Sequence, residues 1–154
     1  MIHHFSLAAR DPGRVAGVLA EVIGGQVFDF SPFPGSRIVV ADDGHGTAIE
    51  VYPLGLELAP GTGSDPVHGI DNPGPSDFTA THAALSVALD EVALLEIAHR
   101  EGWRAVVCAR TAEFRVVEFW LENRVMLEFL TPEMARDYLR AIAPDNFERA
   151  RREA

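Results

Sequence analysis

Sliding the chain along itself by 78 residues brings seven identical pairs into line within the repeated segments: His4/His82, Leu7/Leu85, Ala20/Ala98, Gly24/Gly102, Arg37/Arg115, Val39/Val117 and Glu50/Glu128. The polar pairs carry the argument. Histidine and glutamate keep one separation in both halves, since 50 − 4 = 46 and 128 − 82 = 46. A repeat at a fixed offset means one supersecondary unit used twice. The 154 residues therefore read as an ungapped internal duplication.

Each half reads as βαβββ. In the first, Ile2–Ala9 is a short strand, and Asp11-Pro12 supplies an N-cap and a first helical residue. Val15, Val18, Leu19, Val22 and Ile23 recur at helical spacing until Gly24-Gly25 ends the helix. Gln26–Phe30, Ser36–Ala41 and Thr47–Tyr52 are strands, the last two joined through the turn-forming Asp42–Gly46. In the second half, His82–Ala88 is a strand, Asp90–Arg100 a helix stopped by Gly102, and 103–109, 114–121 and 125–130 are strands. Residues 54–80 are rich in Gly, Pro, Asp and Ser without periodicity, which predicts a linker or long surface loop. Thr131-Pro132-Glu133 opens a C-terminal helix, and a short charged tail helix is expected beyond Pro144. The segments are thus a first module (1–53), a linker (54–80), a second module (81–131) and a C-terminal helix with tail (132–154).

The formal net charge is −10, from 13 basic and 23 acidic residues, and repels nucleic acid unless the positive charge is clustered. Every basic residue is an arginine. Without lysine there is no Schiff base, no pyridoxal-phosphate anchor and no Walker lysine. The single cysteine, Cys108, forms neither an internal disulfide nor a thiolate cluster, and reads as a small core residue. No apolar run reaches the ~18 residues of a membrane span, and no secretory pattern opens the chain. A cytoplasmic protein with a small-molecule substrate is expected, its chemistry carried by His, carboxylate and Arg.

The strongest such constellation is the repeated one. Glu50 and Glu128 each lie among apolar residues in the last strand of a module, and a carboxylate there is costly to bury unpaired. Alternation puts His4, Ser6 and Ala8 on one strand face and Phe5, Leu7 and Ala9 on the helix-packed face. His82 likewise shares its face with Ala84 and Ser86. Two histidines and two glutamates at symmetric positions could satisfy one another around a cation. His3 points to the opposite face; His45, His68 and His99 lie in turns, loops or a helix end and are assigned no role.

Paired βαβββ modules with His in the first strand and Glu in the fourth resemble the vicinal oxygen chelate superfamily, which includes glyoxalase I, methylmalonyl-CoA epimerase, fosfomycin-resistance proteins and extradiol dioxygenases. The resemblance covers residues 2–53 and 81–131. It implies an α+β fold in which both modules form a cupped, mostly antiparallel sheet with helices outside. It also implies a divalent metal held by His4, Glu50, His82 and Glu128. The turn Leu121-Glu122-Asn123-Arg124 departs from the family's usual Asp-Pro-Asp-Gly but leaves Glu128 in place.

Two imidazoles and two carboxylates suit Zn, Ni, Co, Mn or Fe(II) without selecting among them. The His, Glu, His, Glu pattern is that of glyoxalase I, which implies a metal-dependent lyase or isomerase. Glu128 or Glu50 would then be the catalytic base, removing a proton next to a metal-bound oxygen. A non-catalytic binding or resistance protein, an extradiol-type dioxygenase, and a homodimer all remain open. If the hairpins close so that Glu50 faces Val39 and Glu128 faces Val117, Arg37 and Arg115 share the glutamates' face and bind an anionic substrate group. One β-bulge would reverse that parity.

Overall fold

The first helix shows how local signals set the architecture. In the computed structural model, which describes residues 2–146, α1 (Pro12–Ile23) begins where the Asp11 carboxylate accepts the Arg14 N–H at 3.0 Å. It ends at Gly24, whose φ of 67° lets its N–H turn back to Ala20 O. Val15, Val18, Leu19 and Val22 form its buried stripe, and each fully buried side chain of this size is worth about 1.5–3 kcal/mol. Gly25 follows at once because a Cβ there would meet the Val40 carbonyl oxygen at 2.7 Å.

Contacts divide the chain into two units, residues 1–80 and 81–154. In the first, β1 (His4–Ala9), β2 (Gly25–Asp29), β3 (Arg37–Ala41) and β4 (Ala48–Pro53) form a sheet of order β1-β4-β3-β2. Only the β1–β4 pair is parallel. Leu7, Val39, Ile49 and Val51 lie on the side packed by α1 and are buried. The expected linker is not structureless. It contains a second antiparallel pair, β5 (Leu56–Ala59) and β6 (His68–Asp71).

The second unit repeats the plan. Its sheet has the order β7-β10-β9-β8, from β7 (Ala83–Ser86), β8 (Ala105–Ala109), β9 (Arg115–Leu121) and β10 (Val125–Leu130). Helix α2 (Glu91–Glu101) is capped by Asp90 and Gly102. Val117, Phe119, Leu127 and Phe129 are buried on the sheet face that α2 covers. Helix α3 (Pro132–Ala141), N-capped by Thr131, packs against β9 and β10, with the Tyr138 ring edge-on to Phe114 at 5.3 Å. The fold is α+β as expected. The expected tail helix lies mostly outside the described residues.

Register corrects two expectations. Glu50 stands opposite Ile38 rather than Val39, and Glu128 opposite Glu118 rather than Val117. In the β9–β10 hairpin, Arg124 N–H closes a turn onto Leu121 O at 2.9 Å, with Glu122 and Asn123 both at positive φ. Pairing then resumes with Leu121 opposite Val125, so one residue more is accommodated than a two-residue turn needs. In the β3–β4 hairpin, five residues separate Ala41 from Thr47, whose backbone groups bond at 2.9 Å. Each shift of one residue moves the whole partner strand to the opposite parity.

The duplication is also not ungapped. Ser6 pairs with Glu50 and Ala84 with Glu128, so β7 and β10 follow β1 and β4 at the 78-residue offset. The residue facing Glu128 is Glu118, 80 positions after Ile38, which faces Glu50. Strand β9 has slid by two. Arg37 and Arg115 are therefore not structural equivalents.

Candidate functional site

In the first unit, parity places His4, Ser6, Glu50 and Tyr52 on the sheet face away from α1. The Ser6 hydroxyl donates to Glu50 Oε2 at 2.7 Å and the Tyr52 phenol donates to the same oxygen at 2.5 Å. Burial first, and then the neighbouring Glu50, raise the Tyr52 pKa above its ordinary value, which keeps the phenol a donor. The other oxygen, Oε1, lies 4.0 Å from His4 Nε2. These groups form part of a cleft of about 740 Å³ whose walls are mainly apolar: Phe30, Phe33, Leu56, Leu58 and Val67, with His68 beside them. Tyr52 stacks edge-on with Phe33, centroids 5.3 Å apart. The hairpin β5–β6 supplies one wall, so the Gly/Pro-rich segment contributes to the site, and His68 belongs to it although its loop-like surroundings gave no sign.

In the second unit, Glu128 is buried and engaged differently. Arg110, just past β8, places Nε 2.8 Å and Nη2 2.5 Å from Glu128 Oε1, and Nη2 also 2.8 Å from Glu118 Oε1. Burial pushes the Glu118 carboxyl up. Bonds from Arg110 and Trp120 and the guanidinium charge outweigh that, and its pKa lies below the ordinary value. His82 precedes β7 and is exposed.

Arg37 and Arg115 lie on the faces opposite the glutamates. Arg37 sits across from Val51 and pairs with Asp29 at 3.1 Å. Arg115 pairs with Glu91, the first residue of α2, at 3.3 Å. The flipped hairpin register is the reason, and the expected anion-binding role loses its geometry.

The donor set falls short of a divalent-ion site within each unit. His4 and Glu50 offer one imidazole and one carboxylate oxygen, fewer than the three or four protein ligands a stable site uses. Within neither unit do three His, Cys, Asp or Glu side chains gather around one point among the described residues. Glu128 already holds a guanidinium. These residues, as arranged within each unit, do not fit a metal centre.

No protein-family model matches the chain, and no curated protein matches it. Solved structures do. One is the fosfomycin resistance protein FosX from Listeria monocytogenes complexed with Mn(II) and sulfate, at 13% identity and TM-score 0.54, covering 85% of this chain and 88% of that one. A mutant of the same FosX, complexed with Mn(II) and 1S,2S-dihydroxypropylphosphonic acid, matches at 15% identity and TM-score 0.53, covering 84% and 90%. A putative glyoxalase family protein from Bacillus anthracis matches at 13% identity and TM-score 0.52, covering 84% and 92%. With the βαβββ order and the strand positions of His4, Glu50 and Glu128, these likenesses establish that the chain has the vicinal oxygen chelate fold.

Proposed function

We infer that this chain binds a small organic molecule in the cleft of its first unit and that Glu50 acts on it as a general base. One observation carries the reading. Two neutral hydroxyls hold Glu50 Oε2 while Oε1 is engaged by neither. A carboxylate fixed through one oxygen keeps the other oriented for proton transfer. Glu50 is preferred to Glu128 because its partners are neutral, whereas the charge of Glu128 is paired with the Arg110 guanidinium. The chemistry is proton abstraction from carbon next to a carbonyl, the reaction class of the glyoxalase-like lyases and isomerases. His4, beside Oε1, is placed to hydrogen-bond the carbonyl oxygen.

The cleft walls favour an apolar body, and its charged groups do not favour an anion. Its lining holds a carboxylate and no arginine. A neutral or cationic substrate suits it better than a phosphonate or carboxylate.

The test is turnover of a hemithioacetal, with and without Mn(II), followed by the same assay on Glu50→Gln. Loss of ~10²–10⁴-fold in kcat on that change, with the fold retained, is expected of a general base. Activity that survives E50Q removes the assignment. Metal analysis of protein purified without chelators separates this reading from the metal-dependent one, in which His4, Glu50, His82 and Glu128 share a divalent ion. Stoichiometric metal that E128Q abolishes would establish the latter.

A further inference from the structure

Glu118 and Glu128 are cross-strand neighbours on β9 and β10, and like charges directly opposite repel. Their side chains are 16% and 11% exposed, so water screens them little. Two carboxylates so placed stay ionised together only with a cation between them. Arg110 Nη2 reaches the Oε1 atoms of both, and its Nε adds a second bond to Glu128. Trp120 Nε1 donates to the remaining Glu118 oxygen at 3.4 Å, and the Met126 sulfur lies 3.9 Å from Arg110 Nη2. A divalent ion bridging this pair would approach the same two Oε1 atoms, at about 2.0–2.2 Å. It and the guanidinium compete for one place.

We propose that Arg110 is a built-in cation standing where a divalent ion would bridge Glu118 and Glu128, and that it keeps Glu128 out of any metal shell. The first unit shows the contrast. Ile38 faces Glu50 there, so only one carboxylate needs partners, and Ser6 and Tyr52 provide them without charge. The second unit has Ala84 and Leu130 at the matching positions, neither of which can donate. The slide of β9 brought a second glutamate opposite the first, and a guanidinium answers both.

The experiment is Mn(II) binding to the full-length protein, read from the free-ion EPR signal, for wild type, Glu128→Gln, Arg110→Met and the Arg110→Met/Glu128→Gln pair, with folding checked by circular dichroism. In the wild-type background, E128Q is expected to leave Mn(II) binding unchanged. R110M is expected to bind Mn(II) about tenfold tighter or more, a size by which one neighbour alters metal affinity. The double variant is expected to lose that gain. Wild-type Mn(II) binding that E128Q weakens about tenfold overturns the proposal, as does a folded R110M that binds no more tightly than wild type. If R110M does not fold, E128Q alone decides, because its prediction needs no change at Arg110.

Discussion

Beside Glu50 stand Ser6 and Tyr52, two neutral donors on one carboxylate oxygen; beside Glu128, 78 residues on, the same positions carry Ala84 and Leu130. The two glutamates occupy equivalent places in two copies of one sheet, yet one is held by hydroxyls and the other by an arginine. Their surroundings differ as well. Aromatic rings and the β5–β6 hairpin wall the face that carries Glu50. On the Glu128 face, Val116 and Leu130 are buried where α3 packs against β9 and β10. A duplicated scaffold thus keeps a carboxylate at a fixed strand position while letting its neighbours decide how it is held. Neutral donors leave the carboxylate its charge and an oxygen to use. A guanidinium offsets that charge, and it holds Glu128 through Oε1.

The comparison breaks most sharply at Arg110. Replacing it by Met leaves two facing, mostly buried carboxylates without their cation, and loss of one member of such a group costs about 3 kcal/mol or more. Urea denaturation at pH 7 measures this, and Arg110→Met/Glu118→Leu should recover much of the loss by removing the repulsion. The pH response should also change sign. In the wild type the Glu118 pKa lies below its ordinary value of 4.5, so its contribution is present above that pH and fades as the pH falls through the lowered value. Without Arg110, burial and the facing Glu128 charge outweigh the remaining Trp120 bond, and the folded carboxyl should titrate higher than the unfolded one. R110M should therefore gain stability on acidification from pH 7 to 5, where the wild type does not.

A smaller effect is expected at the neutral donors. Tyr52→Phe removes a hydrogen bond to a charged acceptor, worth about 1.5–3 kcal/mol, and Ser6→Ala acts in the same direction on the same oxygen. Ala84→Ser, which imitates Ser6 beside Glu128, should change stability by less than about 0.5 kcal/mol, because Arg110 already satisfies that carboxylate. Urea midpoints of the three variants check the ordering. Equal effects of Y52F and A84S would mean that the two glutamates are held alike.

Much of this is legible in the sequence. The βαβββ order, the Asp11 N-cap, both glycine stops and the shared face of His4 and Ser6 follow from helical spacing and strand alternation, which are properties of short windows. Hairpin register is not such a property. One extra residue at Arg124 flips the face of strand β9 and moved Arg115 from the glutamate's side to the helix's side, and the five-residue β3–β4 loop did the same to Arg37. The β5–β6 pair was hidden because His68–Asp71 has neither alternation nor β-branched enrichment beyond Ile70. Arg110 and Glu118 did leave a signal. Glu118 lies between Val117 and Phe119 just as Glu50 lies between Ile49 and Val51, and the burial argument applied to one applies equally to the other.

The smallest expected effect concerns the turns that set those registers. In the β3–β4 loop the Asp43 carboxylate accepts the His45 N–H at 2.8 Å, and its pKa is lowered to about 2, first by the Thr47 hydroxyl and then by the His45 N–H. In the β9–β10 turn the corresponding work is done by the Asn123 amide, whose oxygen accepts the Arg104 N–H at 2.6 Å and whose NH₂ donates to Gly102 O at 3.1 Å. An amide does not titrate. The lowered Asp43 pKa means that its contribution is complete above the ordinary value of 3.8 and is lost only as the pH falls through about 2. The amide proton shift of His45 should therefore carry a titration step with a midpoint near 2, while that of Arg104 shows none from this source. Asp43→Asn should abolish the His45 titration with little change in stability at pH 7, since Asn keeps the acceptor that the turn needs. A His45 midpoint near 3.8 would show that the Asp43 carboxylate does not close this loop in solution, and with it would go the contrast between a titrating turn in one unit and a non-titrating turn in the other.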